Sequence, residues 1–250
     1  MRKYLMLTMA LAALIAVSVV GIASAGNKPV KVRAGNLELT FNGGFSPSKL
    51  PKNKLAPISL NASGKIATVD GTHPPALKEF ILETDKNGTI NVKGLPVCKA
   101  GKIQATDTKA AEKACGKAII GKGTTTAQVQ FPESNPINVN SKLLVFNGGF
   151  KGGTTTLFIH AYFSSPVSGA IVTTVKIKKE HHGRYGTKSV ASIPKIAGGS
   201  GSVTAFSLTI NKKGVLMAKC PDGKLQAHGT AVFSDGTKAS AGITRACTGK

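Results

Sequence analysis

The sequence has no tryptophan and three tyrosines, one of which, Tyr4, belongs to an apolar N-terminal run. That leaves Tyr162 and Tyr185, too few platforms for a carbohydrate module that stacks on sugars or a protein that stacks on bases. Arginine is scarce as well: beyond Arg2 the chain holds only Arg33, Arg184 and Arg245. The planar fork that grips phosphate or a guanine edge in two places is therefore rare, and no dedicated nucleic-acid readout is expected. Only 11 acids are present, mostly beside lysines or in turn-like stretches. Asp85 and Asp222 read as hairpin-turn residues and Asp107 as a helix cap, which leaves few carboxylates for the pair that glycoside hydrolysis needs.

The nucleophile elbow Gly-x-Ser-x-Gly is missing, and so is the zinc spacing His-Glu-x-x-His. Four cysteines occur without a Cys-x-x-Cys pair, against a cysteine-based zinc site. Glu180-His181-His182 is a compact polar group; it reads as a solvated loop between strands, with a weak transition-metal site as the sharper alternative. His160 sits in an apolar stretch and reads as an interior histidine, and His228 lies on a strand-like segment. Asp85-Lys86-Asn87-Gly88 lacks the third acidic position and distal Glu of a calcium loop. The run from Gly116 through Gly121-Lys122-Gly123-Thr124 puts Gly123 where a phosphate-binding loop needs Ser or Thr. No catalytic residue, metal ligand or cofactor is expected from the sequence, and the chain reads as a non-enzyme.

What is present begins with an export signal. Met1-Arg2-Lys3 gives a positive start, Tyr4–Ile22 an apolar run, and Ala23-Ser24-Ala25 a small-x-small exit. Together they read as a secretory signal peptide over residues 1–25, cleaved before Gly26; an uncleaved anchor is the alternative, because the run approaches spanning length. No later segment reaches 18 uninterrupted apolar residues, so no transmembrane helix is expected after cleavage.

All four cysteines, Cys98, Cys115, Cys220 and Cys247, lie in the exported portion. An even count in an oxidising compartment reads as disulfides. Three pairings are possible, and Cys98–Cys115 with Cys220–Cys247 is favoured because each closes a short local loop.

Period-two alternation bounded by Gly, Asn and Pro dominates the rest. Leu37-Leu39-Phe41, Ala127-Val129-Phe131, Val175-Ile177 and Phe206-Leu208-Ile210 each alternate with polar residues, as strands with one face in a core do. Leu157–Phe163 (LFIHAYF) is apolar on both faces and predicts a central strand. Asn42-Gly43, Asn87-Gly88, Asn147-Gly148, Asp222-Gly223 and Asp235-Gly236 read as turns. Ala110, Ala111, Ala114, Cys115, Ala118 and Ile119 recur at helical spacing, predicting one short helix near 107–119 with Thr106 or Asp107 as cap and Gly121 as stop. The fold class is all-β, mainly antiparallel, expected as a β-sandwich.

Parts of the chain repeat. Phe41-Asn42-Gly43-Gly44-Phe45 recurs at Phe146-Asn147-Gly148-Gly149-Phe150. Phe80-x-Leu82 followed by Gly88 matches Phe206-x-Leu208 followed by Gly214. Cys98-x-x-Gly-Lys-Ile-Gln-Ala matches Cys220-x-x-Gly-Lys-Leu-Gln-Ala. The order suggests an internal duplication, with halves at 26–131 and 132–250 joined through Pro132–Asn138, whether as separate domains or as one sandwich.

The arrangement GLPVC, ACGKAIIGKG, VFNGG, LFIHAY and CPDGKLQAHG resembles a family of secreted β-rich proteins from high-GC Gram-positive bacteria, one to which no activity is assigned. The resemblance spans most of the exported chain. It implies a secreted β-rich protein and transfers no functional residue.

The charge is the strongest functional hint. Removing residues 1–25 takes Arg2 and Lys3 from 33 basic residues, leaving 31 against 11 acids, a net charge of +20. Charge of this size attracts polyanions at long range. Outside a bacterial cell these are phosphate-rich wall polymers, anionic headgroups and DNA. The densest patch, Lys176, Lys178, Lys179 and Arg184, is the candidate polyanion contact. The leading expectation is a secreted or envelope-associated β-protein held near anionic polymer. Alternatives are a binding module for a small molecule or protein, using the 180–185 loop or the FNGG segments, and a hydrolase whose site is assembled from distant residues. A basic surface also serves solubility and blunts sheet edges without any partner.

Overall fold

A computed structural model describes residues 20–22 and 28–249, without the side chains of residues 20–22 and His182. Apart from the backbone of residues 20–22, the expected signal peptide lies outside the described residues.

The strands are β1 (Val20–Ile22), β2 (Val30–Ala34), β3 (Leu37–Ser46), β4 (Lys49–Leu50), β5 (Ala56–Thr68), β6 (Leu77–Asp85) and β7 (Gly88–Ile90). Helix α1 (Thr108–Cys115) follows, extended by a 3-10 turn over residues 116–118. The chain continues through β8 (Ile119–Val129), β9 (Ile137–Lys151), β10 (Thr154–Phe163), β11 (Gly169–His182) and β12 (Tyr185–Ser192). It ends with β13 (Gly201–Ile210), β14 (Leu216–Ala218), β15 (Lys224–Phe233), β16 (Lys238–Ala246) and β17 (Thr248–Gly249). The chain is all-β, with α1 the only α-helix among the described residues.

Neighbour pairing runs β1-β16-β15-β6-β12-β11-β10-β9-β8-β13-β5, and β3 and β2 extend it from β5. The long pairings are antiparallel, and β1–β16 and β17–β4 are parallel. The sheet nearly closes on itself. Arg245 on β16 reaches β3, where Nη2 donates to Asn42 Oδ1 at 2.8 Å and Nε to the Gly43 carbonyl at 2.5 Å.

Pairings cross the boundary between residues 131 and 132 reciprocally. β6 lies between β12 and β15, while β13 lies between β5 and β8. Phe80 on β6 meets Phe206 on β13 edge to face, with ring centroids 6.3 Å apart. Ile90 on β7 stands opposite Leu216 on β14.

Alternation sets the core. Val30, Val32, Leu39, Phe41 and Phe233 pack in one buried cluster, and Val145, Leu157, Val175, Ile177 and Ile210 in another. LFIHAYF is apolar on both faces for a specific reason. Leu157, Ala161 and Phe163 turn to the interior, while Phe158 and His160 turn to the opposite face, where the α1 segment covers Leu144, Phe146 and Phe158. The helix starts as its cap predicts: Asp107 Oδ1 accepts from the Ala110 N–H at 2.8 Å.

Both disulfides join the favoured pairs, Cys98–Cys115 and Cys220–Cys247. Cys98 and Cys115 pack with Phe146 of β9, and Cys220 and Cys247 pack with Leu50 and Phe45.

Two expected turns prove to be strand interior. Asn42-Gly43 lies within β3 and Asn147-Gly148 within β9. The Asn147 side chain is fully buried. Its Nδ2 donates to the Leu95 and Pro96 carbonyls at 3.3 and 2.9 Å, and its Oδ1 accepts from the Gly149 N–H at 2.8 Å. A Cβ on Gly148 would meet the Phe158 ring at 2.8 Å, so glycine serves close approach here rather than a turn. Asp222-Gly223 and Asp235-Gly236 do turn, with Gly223 and Gly236 at φ of 78° and 88°.

Candidate functional site

The lysines singled out by the sequence lie on β11. Val175 and Ile177 point into the core, which forces Lys176 and Lys178 outward, and both are exposed. The register then sets their neighbours. Lys178 stands opposite Thr154 on β10 and Lys188 on β12; Lys176 stands opposite Thr156 and Val190. Lys151 on β9 is opposite Thr154. Residues directly opposite share a face, so Lys151, Lys176, Lys178 and Lys188 share one. Lys179 is also exposed and pairs with Thr187 just before a register shift.

Like charges placed opposite each other work against a sheet. The Lys178–Lys188 juxtaposition is unfavourable in itself, while on its other side Lys188 stands opposite Glu83 of β6. Among the described residues only Lys122 of all the lysines forms an ion pair, with Glu112 at 3.5 Å; the Glu83 carboxylate pairs with His228 rather than with Lys188.

Most of the acids are engaged elsewhere, although Glu180, beside Lys179, keeps a buried Oε2 with no hydrogen-bond partner among the described residues. Asp85, 3 % exposed, accepts from the Asn87 N–H at 2.9 Å, the Gln226 N–H at 3.0 Å and Arg184 Nε at 2.7 Å. Arg184 also bonds both carboxylate oxygens of Asp222, and its Nη2 donates to the Lys224 carbonyl at 2.8 Å. The Asp222 bonds raise the Arg184 pKa, and Arg184 in turn lowers that of Asp222. This clamp ties the β6–β7 turn, the β11–β12 turn and the start of β15 together, and it sets Arg184 apart from the three lysines. The sequence carries no signal for it, because its acids lie in turns 99 and 38 residues from the arginine. Glu83 pairs with His228 at 3.2 Å, and Asp70 and Asp235 cap the turns at Thr72 and Thr237. Hydrogen bonds from Thr72 hold Asp70 well below the usual carboxylate range.

The histidines fall in three places. His160 is fully buried; its Nε2 bonds the Thr106 carbonyl at 2.9 Å and Nδ1 has no partner, fastening the segment that leads into α1. Burial pushes its pKa down, opposed by the Thr106 bond and by Asp107. His73 links Gln128 Oε1 at 2.9 Å to Ser202 Oγ at 3.2 Å, a connectivity that can activate a serine. Ser202 is only 2 % exposed, however, and its hydroxyl donates to the Pro74 carbonyl at 2.6 Å, so the group ties the β5–β6 connection to β13. His181 lies at the exposed end of β11, and the His182 side chain lies outside the described residues. Among the described residues no three His, Cys, Asp or Glu side chains gather as metal ligands, and no helix is long and apolar enough to cross a membrane.

A second surface feature is an open depression of about 370 Å³ lined by Pro96, Val97, Glu112, Cys115, Lys117 and Ala118. Beside it Phe150 is half exposed, with Lys93 Nζ 4.6 Å above its ring.

Compared with family models, curated proteins and solved structures, the chain matches none.

Proposed function

We propose that this is a secreted or envelope-associated, non-enzymatic β-protein held beside anionic polymer by its basic surface. One observation carries the reading: Asp70, Asp85, Asp107, Asp222, Asp235 and Glu83 are engaged in turns, a helix cap and contacts with Arg184 and His228, while the lysines, Lys122 apart, form no ion pair among the described residues. The positive charge is thus left facing solvent, where it acts on polyanions at long range. The two disulfides fit an extracellular location.

Retention of the purified protein on isolated anionic wall polymer, titrated with salt beside heparin and DNA columns, tests it. Retention near physiological salt that fades steeply as salt rises is the expected result. Passage through all three columns at that salt overturns the reading.

A further inference from the structure

One strand, β5, joins β3, which carries Phe41–Phe45, to β13, which carries Phe206. Three strands, β10, β11 and β12, join β9, which carries the matching Phe146–Phe150, to β6, which carries Phe80. The rest of the frame is reciprocal. Phe80 touches Phe206, Ile90 faces Leu216, and each disulfide packs beside a Phe-Asn-Gly-Gly-Phe segment belonging to the other half of the chain. Such i-to-j and j-to-i contacts are those of an isologous interface between copies of one unit. Against that frame the three-strand stretch is the departure, and it holds Lys176, Lys178 and Lys188.

We propose that β10–β12 widen a frame of two reciprocal halves and that their outward face docks a linear, phosphate-bearing polymer. The proposal rests on the polyanion reading above and narrows it to one face and one chemistry. Lysines two apart on a strand stand roughly 6.7 Å apart, and neighbouring strands about 4.8 Å, so the ammonium groups form a two-dimensional array rather than a pocket. Between them stand the threonines Thr154 and Thr156 and the aliphatic Val190, and Glu83, held by His228, borders the array opposite Lys188. The register places no aromatic ring among them on which a sugar or base could stack. Lysine, a mobile point charge, suits phosphates at variable spacing better than one fixed planar partner.

The test compares K176E/K178E with K31E/K65E, whose lysines are exposed on β2 and β5, strands that do not border β9–β12. Both variants lose the same charge. The probe is inorganic polyphosphate, with heparin beside it, at fixed ionic strength. K176E/K178E is expected to weaken polyphosphate binding at least about tenfold and K31E/K65E less than about threefold. K176Q/K178Q, which is gentler on the sheet, is expected to fall between them. Equal losses in the two reversal variants overturn the face while leaving diffuse attraction in place. Wild-type binding to heparin but not polyphosphate overturns the phosphate assignment. Binding to neither overturns this proposal and the reading it rests on.

Discussion

Phe80 and Phe206 meet edge to face with ring centroids 6.3 Å apart, although each sits between strands drawn from the opposite side of the 131/132 boundary. Contacts of this kind make the two halves interdependent without any covalent link beyond Pro132–Asn138, since each disulfide stays within one half. A protease site placed between Glu133 and Ser134 should therefore cut the chain without dividing the protein. The fragments should co-elute at the intact mass in native size exclusion and separate only in denaturant. Separate elution, or collapse of both fragments on cutting, contradicts the interlocked arrangement.

Each disulfide closes a short loop, with separations of 17 and 27 residues. Chain-entropy reasoning assigns each roughly 3–4 kcal/mol. C98S/C115S and C220S/C247S should each lower Tm by roughly 6–16 °C in thermal melts. Thiol titration of the denatured, unreduced protein should find no free thiol.

Arg184 neutralises a carboxylate that is almost fully enclosed, whereas Asp222 is 41 % exposed. R184A should cost about 3–5 kcal/mol, because Asp85 stays buried without its cation. D222N should cost much less than R184A, because its carboxylate is exposed and screened by solvent. R184K should not restore the loss, since an ammonium cannot bridge two carboxylates and a carbonyl as the guanidinium does. Denaturant melts of the three variants give the order directly.

His160 makes stability depend on pH. Its folded pKa lies below 6.5, so between those two values the unfolded chain binds a proton that the folded chain refuses. Stability contributed by the neutral ring is complete above pH 6.5 and falls as pH drops, by up to about 1.4 kcal/mol per unit. H160Q keeps a donor for the Thr106 carbonyl and removes the titration. Its denaturation midpoint should change less than that of the wild type between pH 7.5 and 5, and parallel curves contradict the assignment.

Much of this architecture is legible in the sequence where the physics is local. Val175-Ile177 against Lys176-Lys178 reveals a strand and which way it faces. Asp107 and the alanine spacing reveal α1, and short loops between cysteines reveal the pairing. What is not legible depends on residues far apart in the chain. Asn147-Gly148 carries turn chemistry, yet the carbonyls of Leu95 and Pro96 claim the side chain and the Phe158 ring crowds the glycine. Arg184 looks like one more surface cation, because nothing nearby in the sequence announces Asp85 and Asp222. The lysine face is half legible: alternation puts Lys176 and Lys178 outward, but only register brings Lys151 and Lys188 beside them.

The central claim is that the unpaired lysines bind polyanion as charge. Affinity for soluble polyphosphate measured by titration calorimetry across a salt series tests it most directly. If about four ammonium groups each displace counterions, log K should fall against log salt with a slope of about −3 or steeper. Binding that persists with a slope near zero would contradict the account and point to a pocket instead.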